Sequence, residues 1–508
     1  MRPWVSRCAW LVAALVVGSL GAGSAGALAE PRRGGSPSAE PTARASALAP
    51  STGDAALASK AQGAVDQLGS AVRGFGGQLS ARVVLVPTGV ELAARGEHLA
   101  QNPASNAKLW TAYAALRALG PQHRFVTTLA GAREGSVVPR LVLIGTGDPS
   151  LRSADLVDMA LELRALGVRK VTELAVDQSA FDDVHVPPAF EQQPSEWAPF
   201  RAPVSAVAVD GNTLTLRVVP GKVGELALVE ATPPGAVVVR AAVRTVAKAK
   251  AEKLELSLSG NGTQVEARVS GTVPAGERHT LLVRRLDDPA LAAGLALKKA
   301  LVDVGVAVGE VKLGARASEK SLVTRSSRPL AELVTRLGKE SDNFYAEQIF
   351  KALGAAKREP ATASRAAARV EALLREAGAL DAGTKVRNGS GLFDASRATA
   401  AGMTELLRVA ALDARVGPEL MGSLAIGGVD GTLRGRLGAL RERRAVRAKT
   451  GTLEAVVALS GYVLGPPGRG PLAFSFLVSG AKDHHADAKK AMDASLVAIT
   501  EALWAPSK

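Results

Sequence analysis

The spacing of apolar residues changes period repeatedly along this chain, and that alternation restricts the architecture more than any single residue does. From Leu57 the spacing is helical, after which GGQLSARVVLVPTGVELAARG reads as two strands around the Pro87-Thr88-Gly89 turn. In QNPASNAKLWTAYAALRALG, Pro103 biases Asn102 towards extended backbone. Apolar residues then keep helical spacing from Leu109 to Leu119, which predicts a helix starting close to Ser105. From about 121 to 289 the two-residue period takes over. LVLIG at 141–145 reads as a buried strand and KLELSLSGNGTQVEARVSG at 253–271 as a hairpin, with turns at Pro220-Gly221 and Pro233-Pro234-Gly235. Helices return after Asp288: one to about Val304, one from about Pro329 to Gly338 and one from about Asn343 to Gly354. AVRAKTG, EAVVALSGYV and LAFSFLVSG then predict successive antiparallel strands, the last two joined at GPPGRG, before a final helix from about Ala486 to Leu503. Hydrophobic residues are 47% of the 508, enough for sizeable cores, and with aromatics at 4% those cores must be filled by Ala, Val and Leu.

The first residues carry different information. Arg2 and Arg7 flank the start of an apolar run, Ala9 to Val17, too short to span a bilayer comfortably, and Ala27-Leu28-Ala29 has the form of a signal-cleavage site. Residues 1–29 are expected to be an export signal. Residues 30–56, rich in Pro, Ser, Ala and Gly, are expected to be a disordered linker. No later apolar stretch reaches about 18 residues, so no transmembrane segment is expected after signal cleavage. Losing Arg2 and Arg7 would lower the net charge from +14 to +12. It would also remove Cys8, the single cysteine, which excludes a disulfide scaffold or a thiolate metal cluster from the mature chain. Outside the cytoplasm, in a periplasm or cell envelope, the basic surplus points to anionic envelope polymers rather than nucleic acid.

Three short motifs carry the chemistry: Ser105-Asn106-Ala107-Lys108, Ser341-Asp342-Asn343 and Lys449-Thr450-Gly451. Taken singly, each also fits a helix cap, a capping loop or a strand end. Ser479-Gly480-Ala481-Lys482 and Ser259-Gly260-Asn261 satisfy the first two patterns elsewhere in the chain. Context separates them. Ser105 opens a helix ahead of the other motifs, whereas Ser479 ends an apolar strand after them; Ser341 lies between two predicted helices, whereas Ser259 lies in a hairpin turn. A serine hydroxyl is a poor nucleophile until a neighbouring base takes its proton, and lysine is a base only when its pKa is depressed. Three residues apart on a helix, Lys108 reaches Ser105. The helix start and a second cation, Lys449, are both expected to disfavour the Lys108 ammonium.

Together the three motifs resemble the signature set of penicillin-binding proteins and β-lactamases. The 236 residues from Ser105 to Ser341, against 108 from Ser341 to Lys449, are similar to the class C low-molecular-mass penicillin-binding proteins, which are D-alanyl-D-alanine carboxypeptidases that also act as endopeptidases. GTGDPSL at 145–151, APVSAVAVDGNTLTL at 202–216, NGSGL at 388–392 and GGVDGTLRGRL at 427–437 resemble that family too, although Asn388 stands where its members usually carry Asp. The resemblance implies an α/β (α+β) transpeptidase-like, β-lactamase-like domain, with an antiparallel sheet flanked by helices, built from 57–120 and 290–508. Residues 121–289 would be a mainly β insertion forming additional domains. It implies a serine-type carboxypeptidase/endopeptidase acting on peptidoglycan stem peptides through an acyl-enzyme, with β-lactams as covalent inhibitors and no metal or organic cofactor. In that reading Ser105 is the nucleophile, Lys108 its base and Ser341 a proton relay to the leaving amine, while Asn343 holds the substrate amide and Lys108. Lys449 supplies positive charge, and Thr450 and Thr452 grip a carboxylate. Gly451 lets a peptide pair with the strand, and the Ser105 and Thr452 N–H groups form an oxyanion hole.

Two alternatives compete. A β-lactamase of class A would need E-x-x-x-N between Ser341 and Lys449, and one of class C a Y-x-N; neither occurs. A non-catalytic wall-binding scaffold would have no need of an activated Ser105. Asp483-His484-His485-Ala486-Asp487 reads as a polar helix start rather than a metal site. Arg441, Arg443, Arg444 and Arg447 read as a solvated or wall-facing patch, and Gly145-Thr146-Gly147 lacks the third glycine of a dinucleotide loop.

Overall fold

The computed structural model describes residues 52–506, apart from 249–251, 261–263, 318, 357–358 and 443. The expected signal and most of the expected linker lie outside the described residues. Helix α1 (Thr52–Gly74) begins before the expected linker end at 56 and leads into the hairpin β1 (Gln78–Leu85) and β2 (Glu91–Arg95). A 3-10 turn, Ala104–Asn106, opens α2 (Ala107–Leu119). There follow β3 (Val126–Gly131), β4 (Val137–Gly145), α3 (Ser153–Ala165), β5 (Lys170–Asp177), β6 (Thr213–Val219), β7 (Leu228–Thr232), β8 (Val238–Val246), β9 (Glu255–Gly260), β10 (Val265–Pro274) and β11 (Thr280–Arg285). Then come α4 (Pro289–Asp303), β12 (Ala307–Lys312) and β13 (Ser321–Ser326). The C-terminal part comprises α5 (Leu330–Thr335), α6 (Asn343–Leu353), α7 (Ala363–Glu376), α8 (Ala400–Leu412), α9 (Gly417–Ser423), β14 (Ala425–Ile426), β15 (Val446–Leu453), β16 (Val456–Val463), β17 (Leu472–Ser479) and α10 (His485–Trp504).

Both ends of the chain build one antiparallel sheet, in the order β14-β15-β16-β17-β1-β2. Every residue of β16 is buried because the sheet is covered on both faces. Val457, Leu459 and Val463 pack with Leu68, Val72, Met492 and Ile499 of α1 and α10. Ala458 and Tyr462 point the other way, into a cluster with Trp110, Leu116, Ile349 and Leu407 from α2, α6 and α8. Continuous apolar runs such as LAFSFLVS, rather than alternating ones, follow from this double covering. Alanine fills the places where α2 approaches its neighbours, with Ala107, Ala112, Ala114 and Ala115 all buried.

Among the described residues the inserted region holds eleven strands and two long helices in two modules. The first is a five-stranded sheet, β12-β5-β4-β3-β13, with β4, β5 and β12 parallel and α3 and α4 supplying Leu156, Met159, Leu297 and Leu301 to its core. The second sets β11-β6-β7 and β8-β10-β9 around Leu214, Leu216, Val218, Val243, Ala267 and Val269. Sheet pairing moves the expected boundary. The strands β12 and β13 bond to β5 and β3, so 290–326, assigned from sequence to the catalytic part, belongs with the inserted sheet. The apolar face of α4 shows that it covers a sheet, not which one.

Candidate active site

Ser105 sits in the 3-10 turn that joins an extended segment to α2. Asn102 Oδ1 accepts from the Ala104 amide at 2.8 Å, and Ala104 is held at φ 45°, a left-handed conformation that costs energy away from glycine. The turn lies against β15 at Gly451. A β-carbon there would stand 3.0 Å from both the Pro103 carbonyl oxygen and the Ala104 methyl, so a side chain would push the turn away. Asn106 fastens the same contact. In the amide orientation that satisfies both ends, it donates to the Lys449 carbonyl at 2.9 Å and accepts from Ser460 Oγ at 2.7 Å.

One helical turn on, Lys108 is 1% exposed. Its Nζ donates to Ser105 Oγ at 2.9 Å, Asn343 Oδ1 at 2.7 Å and the Ser390 carbonyl at 2.8 Å. Burial brings its pKa down to about 7, against the opposing pull of Glu347 and Asp342. Burial is therefore the main cause, where the sequence argued from the helix start and a second cation. The mutual repulsion of the two lysines falls on Lys449, which is fully buried and driven well below the ordinary lysine range, first by burial and then by Lys108.

The second motif follows a π turn, Arg336–Glu340, which leaves Ser341 in the left-handed region at φ 59°. Asp342 caps α6 by accepting from the Tyr345 amide at 3.1 Å. It also pairs with Arg336 at 3.1 Å, whose guanidinium lies over the Tyr345 ring. Lys449 Nζ donates to Ser341 Oγ at 2.9 Å and to the Thr450 carbonyl at 2.7 Å. Two hydrogen-bonded groups thus stand side by side: Ser105, Lys108 and Asn343, then Ser341 and Lys449. The two-residue strand β14 pairs only with Arg447 and Ala448, so Thr450, Gly451 and Thr452 lie beyond it on the rim of β15. Thr452 is exposed and Thr450 half-buried.

Two further groups support the site: Glu347, which was not picked out from the sequence, and Asn388, noted there only for standing in place of an Asp. Glu347, 2% exposed on α6, accepts from the Gly389 amide at 3.0 Å and the Ser390 amide at 2.7 Å, aiming the Ser390 carbonyl at Lys108. Its signal was a carboxylate four residues after Asn343 within the apolar stretch FYAEQIFKAL. Asn388 closes the same turn, accepting from Gly391 N at 2.9 Å and donating to the Leu392 carbonyl at 3.1 Å. Gly391, at φ 72°, allows that turn to meet Ala104.

The decoys fall elsewhere. Lys482 pairs with exposed Glu454 at 2.9 Å, and Asn261 lies outside the described residues. His484 bonds Asp487 at 3.1 Å and His485 the Leu453 carbonyl at 2.9 Å, as befits the start of α10. Gly145 ends β4 opposite Thr127, with the Ala206 carbonyl where a β-carbon would stand. Arg443 lies outside the described residues, while Arg441 and Arg444 are exposed. Among the described residues no group of three or more His, Cys, Asp or Glu is placed to hold a metal, and no helix is long and apolar enough to cross a membrane.

Residues 62–503 match the D-Ala-D-Ala carboxypeptidase 3 (S13) family. A D-alanyl-D-alanine carboxypeptidase of an Actinomadura species is 35% identical over 422 residues, which is 78% of this chain and 77% of that protein. A carboxypeptidase of Mycolicibacterium smegmatis is 28% identical over 424 residues, 80% of this chain and 77% of that one. Among solved structures, penicillin binding protein 4 from Haemophilus influenzae superposes with a TM-score of 0.71 at 24% identity, over 86% of this chain and 97% of its own.

Proposed function

This chain belongs to the D-Ala-D-Ala carboxypeptidase 3 (S13) family and is a serine-type D-alanyl-D-alanine carboxypeptidase, and we propose that it works through an acyl-enzyme on Ser105. The observation that carries the proposal is the 2.9 Å bond between Ser105 Oγ and a buried Lys108 whose pKa is brought to about 7. At neutral pH about half of such an amine is unprotonated and can accept the serine proton. Ser105 Oγ then attacks the carbonyl of the penultimate D-alanine. The oxyanion sits between the Ser105 and Thr452 N–H groups, each such donor being worth roughly 3 kcal/mol. The proton taken by Lys108 passes by way of Ser341 to the leaving amine as the C–N bond breaks. Water then gives a proton to Lys108 and attacks the ester carbonyl, and Lys108 returns that proton to Ser105 Oγ as the ester C–O bond breaks, releasing the shortened peptide acid and restoring both side chains.

Substrate binding sharpens this division of labour. A peptide carboxylate arriving beside Thr452 on the rim of β15 brings a negative charge towards Lys449 and favours its ammonium. The charged Lys449 in turn disfavours a second charge on Lys108, which keeps the base neutral when substrate is present. Asn343 holds Lys108 and offers its amide to the peptide, whose backbone pairs along the rim of β15 beyond β14. The substrates proposed are peptidoglycan stem peptides ending in D-Ala-D-Ala and cross-links with the same acyl donor. β-Lactams would acylate Ser105 covalently, a reading supported by the solved structure of the Haemophilus influenzae protein complexed with a β-lactam. Arg2, Arg7, the apolar run from Ala9 to Val17 and Ala27-Leu28-Ala29 support export to the periplasm or cell envelope.

Labelling with a fluorescent penicillin tests the nucleophile. Wild type should label and Ser105→Ala should not, and equal labelling would remove Ser105 from the mechanism. Purified muropeptides test the reaction, with release of D-alanine and loss of cross-linked dimers as the expected products.

A further inference from the structure

The motif GGVDGTLRGRL at 427–437 has no role in the mechanism above, yet its Thr432 lies beside Thr450 of β15. Thr450 Oγ1 donates to Thr432 Oγ1 at 2.8 Å. A threonine hydroxyl has a single proton, so with that bond made Thr450 has none left to give to a ligand, while the exposed Thr432 hydroxyl keeps its own. We propose that Thr432 is a substrate-binding residue that donates its hydroxyl proton to the terminal carboxylate of the peptide, with Thr450 behind it as a hydrogen-bond donor that holds and polarises that hydroxyl. The proposal rests on the reading that the Ser105 site takes peptides ending in a free carboxylate.

The turn that carries Thr432 is built to hold a position. It is a 3-10 turn, Gly431–Leu433, introduced by Asp430. One carboxylate oxygen of Asp430 accepts from the Ile426 amide at 2.8 Å, and the other meets Lys339 Nζ at 2.6 Å. Lys339 belongs to the π turn that delivers Ser341, and its Nζ also donates to the Leu424 carbonyl at 3.0 Å. Gly431, at φ 54°, lies so close that a β-carbon would stand 2.6 Å from the Lys339 carbonyl oxygen. Thr432 is thus registered against both catalytic walls, the Ser341 turn through Lys339 and strand β15 through Thr450. An incidental surface hydroxyl would not need a buttressed turn on one side and a directed donor on the other. A carboxylate fits better than a neutral amide because a hydrogen bond to a charged acceptor is about twice as strong as one to a neutral acceptor.

The test compares a synthetic tripeptide ending in D-Ala-D-Ala with its C-terminal amide, using wild type, Thr432→Val and Thr432→Ser. Valine keeps the shape and removes the proton; serine keeps the proton. Wild type should prefer the free acid. Thr432→Val should lower kcat/KM for the acid about tenfold and leave the amide within about twofold, so the preference contracts about tenfold, whereas Thr432→Ser should stay within about threefold of wild type on both. A Thr432→Val enzyme that keeps the full acid preference overturns the proposal, and so does an equal loss on acid and amide, which would mark a role in shape alone. A wild type without acid preference overturns the carboxylate reading itself, a failure distinct from the other two. Thermal melting of each variant within about 3 °C of wild type establishes that the comparison is made on folded protein.

Discussion

Raising the pH from 6 to 8 is expected to accelerate acylation of Ser105 by a penicillin about tenfold. Burial brings Lys108 to about pH 7, so its neutral fraction climbs from roughly 0.09 at pH 6 through about 0.5 at pH 7 to roughly 0.9 at pH 8. Acylation requires the neutral amine, and the second-order rate constant should follow that fraction. Stopped-flow measurement with a fluorescent penicillin at constant ionic strength reads it directly. Glu347→Gln provides the internal control. A nearby carboxylate favours the ammonium, so its removal should move the rise to lower pH, by about one unit for a charge a few ångströms beyond the Ser390 carbonyl. Glutamine still accepts one of the two backbone N–H bonds, which keeps the 389–391 turn in place. A profile flat from pH 6 to 8, or a rise centred near 10, would refute the argument that burial prepares the base. A rise displaced upwards in Glu347→Gln would refute the part assigned to that carboxylate.

Lys108→Met should abolish penicillin labelling and raise the melting temperature more at pH 6 than at pH 9. Below pH 7 the folded wild type bears the whole cost of a buried ammonium; as pH rises from 7 towards 10.5 the folded state releases its proton first and that cost declines. Gly391→Ala should destabilise by about 3 kcal/mol or more in urea titrations, because its β-carbon would lie 1.8 Å from the Ala104 carbonyl oxygen at a backbone φ of 72°. Asn106→Ala should slow acylation by more than tenfold with a stability loss of about 1–2 kcal/mol, measured by labelling rate and melting, since it unties the Ser105 turn from Lys449 and Ser460. Gly451→Val should reduce labelling at least as strongly while leaving the inserted modules folded by circular dichroism, because the obstruction is confined to Pro103, Ala104 and Ala458.

Much of this arrangement was legible because it depends on local spacing. Ser105 and Lys108 lie one helical turn apart, which alone brings hydroxyl and amine together, and the three C-terminal strands declare themselves by their apolar runs. What was hidden depends on distant partners. Nothing in ALAAGLALKKALV says that α4 covers the inserted sheet, because any buried helix of small apolar residues reads alike. Thr432 and Glu347 are similarly mute, since a threonine in a glycine-rich turn and a carboxylate in a helix acquire meaning only from Thr450 and Ser390. The pKa of Lys108 was read in the right direction from the wrong leading cause. Burial is a property of everything packed around a residue, and the helix start is the only part of that visible locally.

The pairing of β1 with β17 sets a timetable. Gln78 lies opposite Ser479 and Leu85 opposite Leu472, so the hairpin that precedes Ser105 has its place in the sheet only beside a strand synthesised after Lys449. Lys449, which completes the site, arrives late as well. A growing chain can close the inserted modules early, as their strands come from neighbouring sequence, but the sheet around Ser105 stays unassembled until residues 472–479 exist. Latency is thereby written into the order of the strands: the sheet that carries both Ser105 and Lys449 is complete only once residues 472–479 have been made.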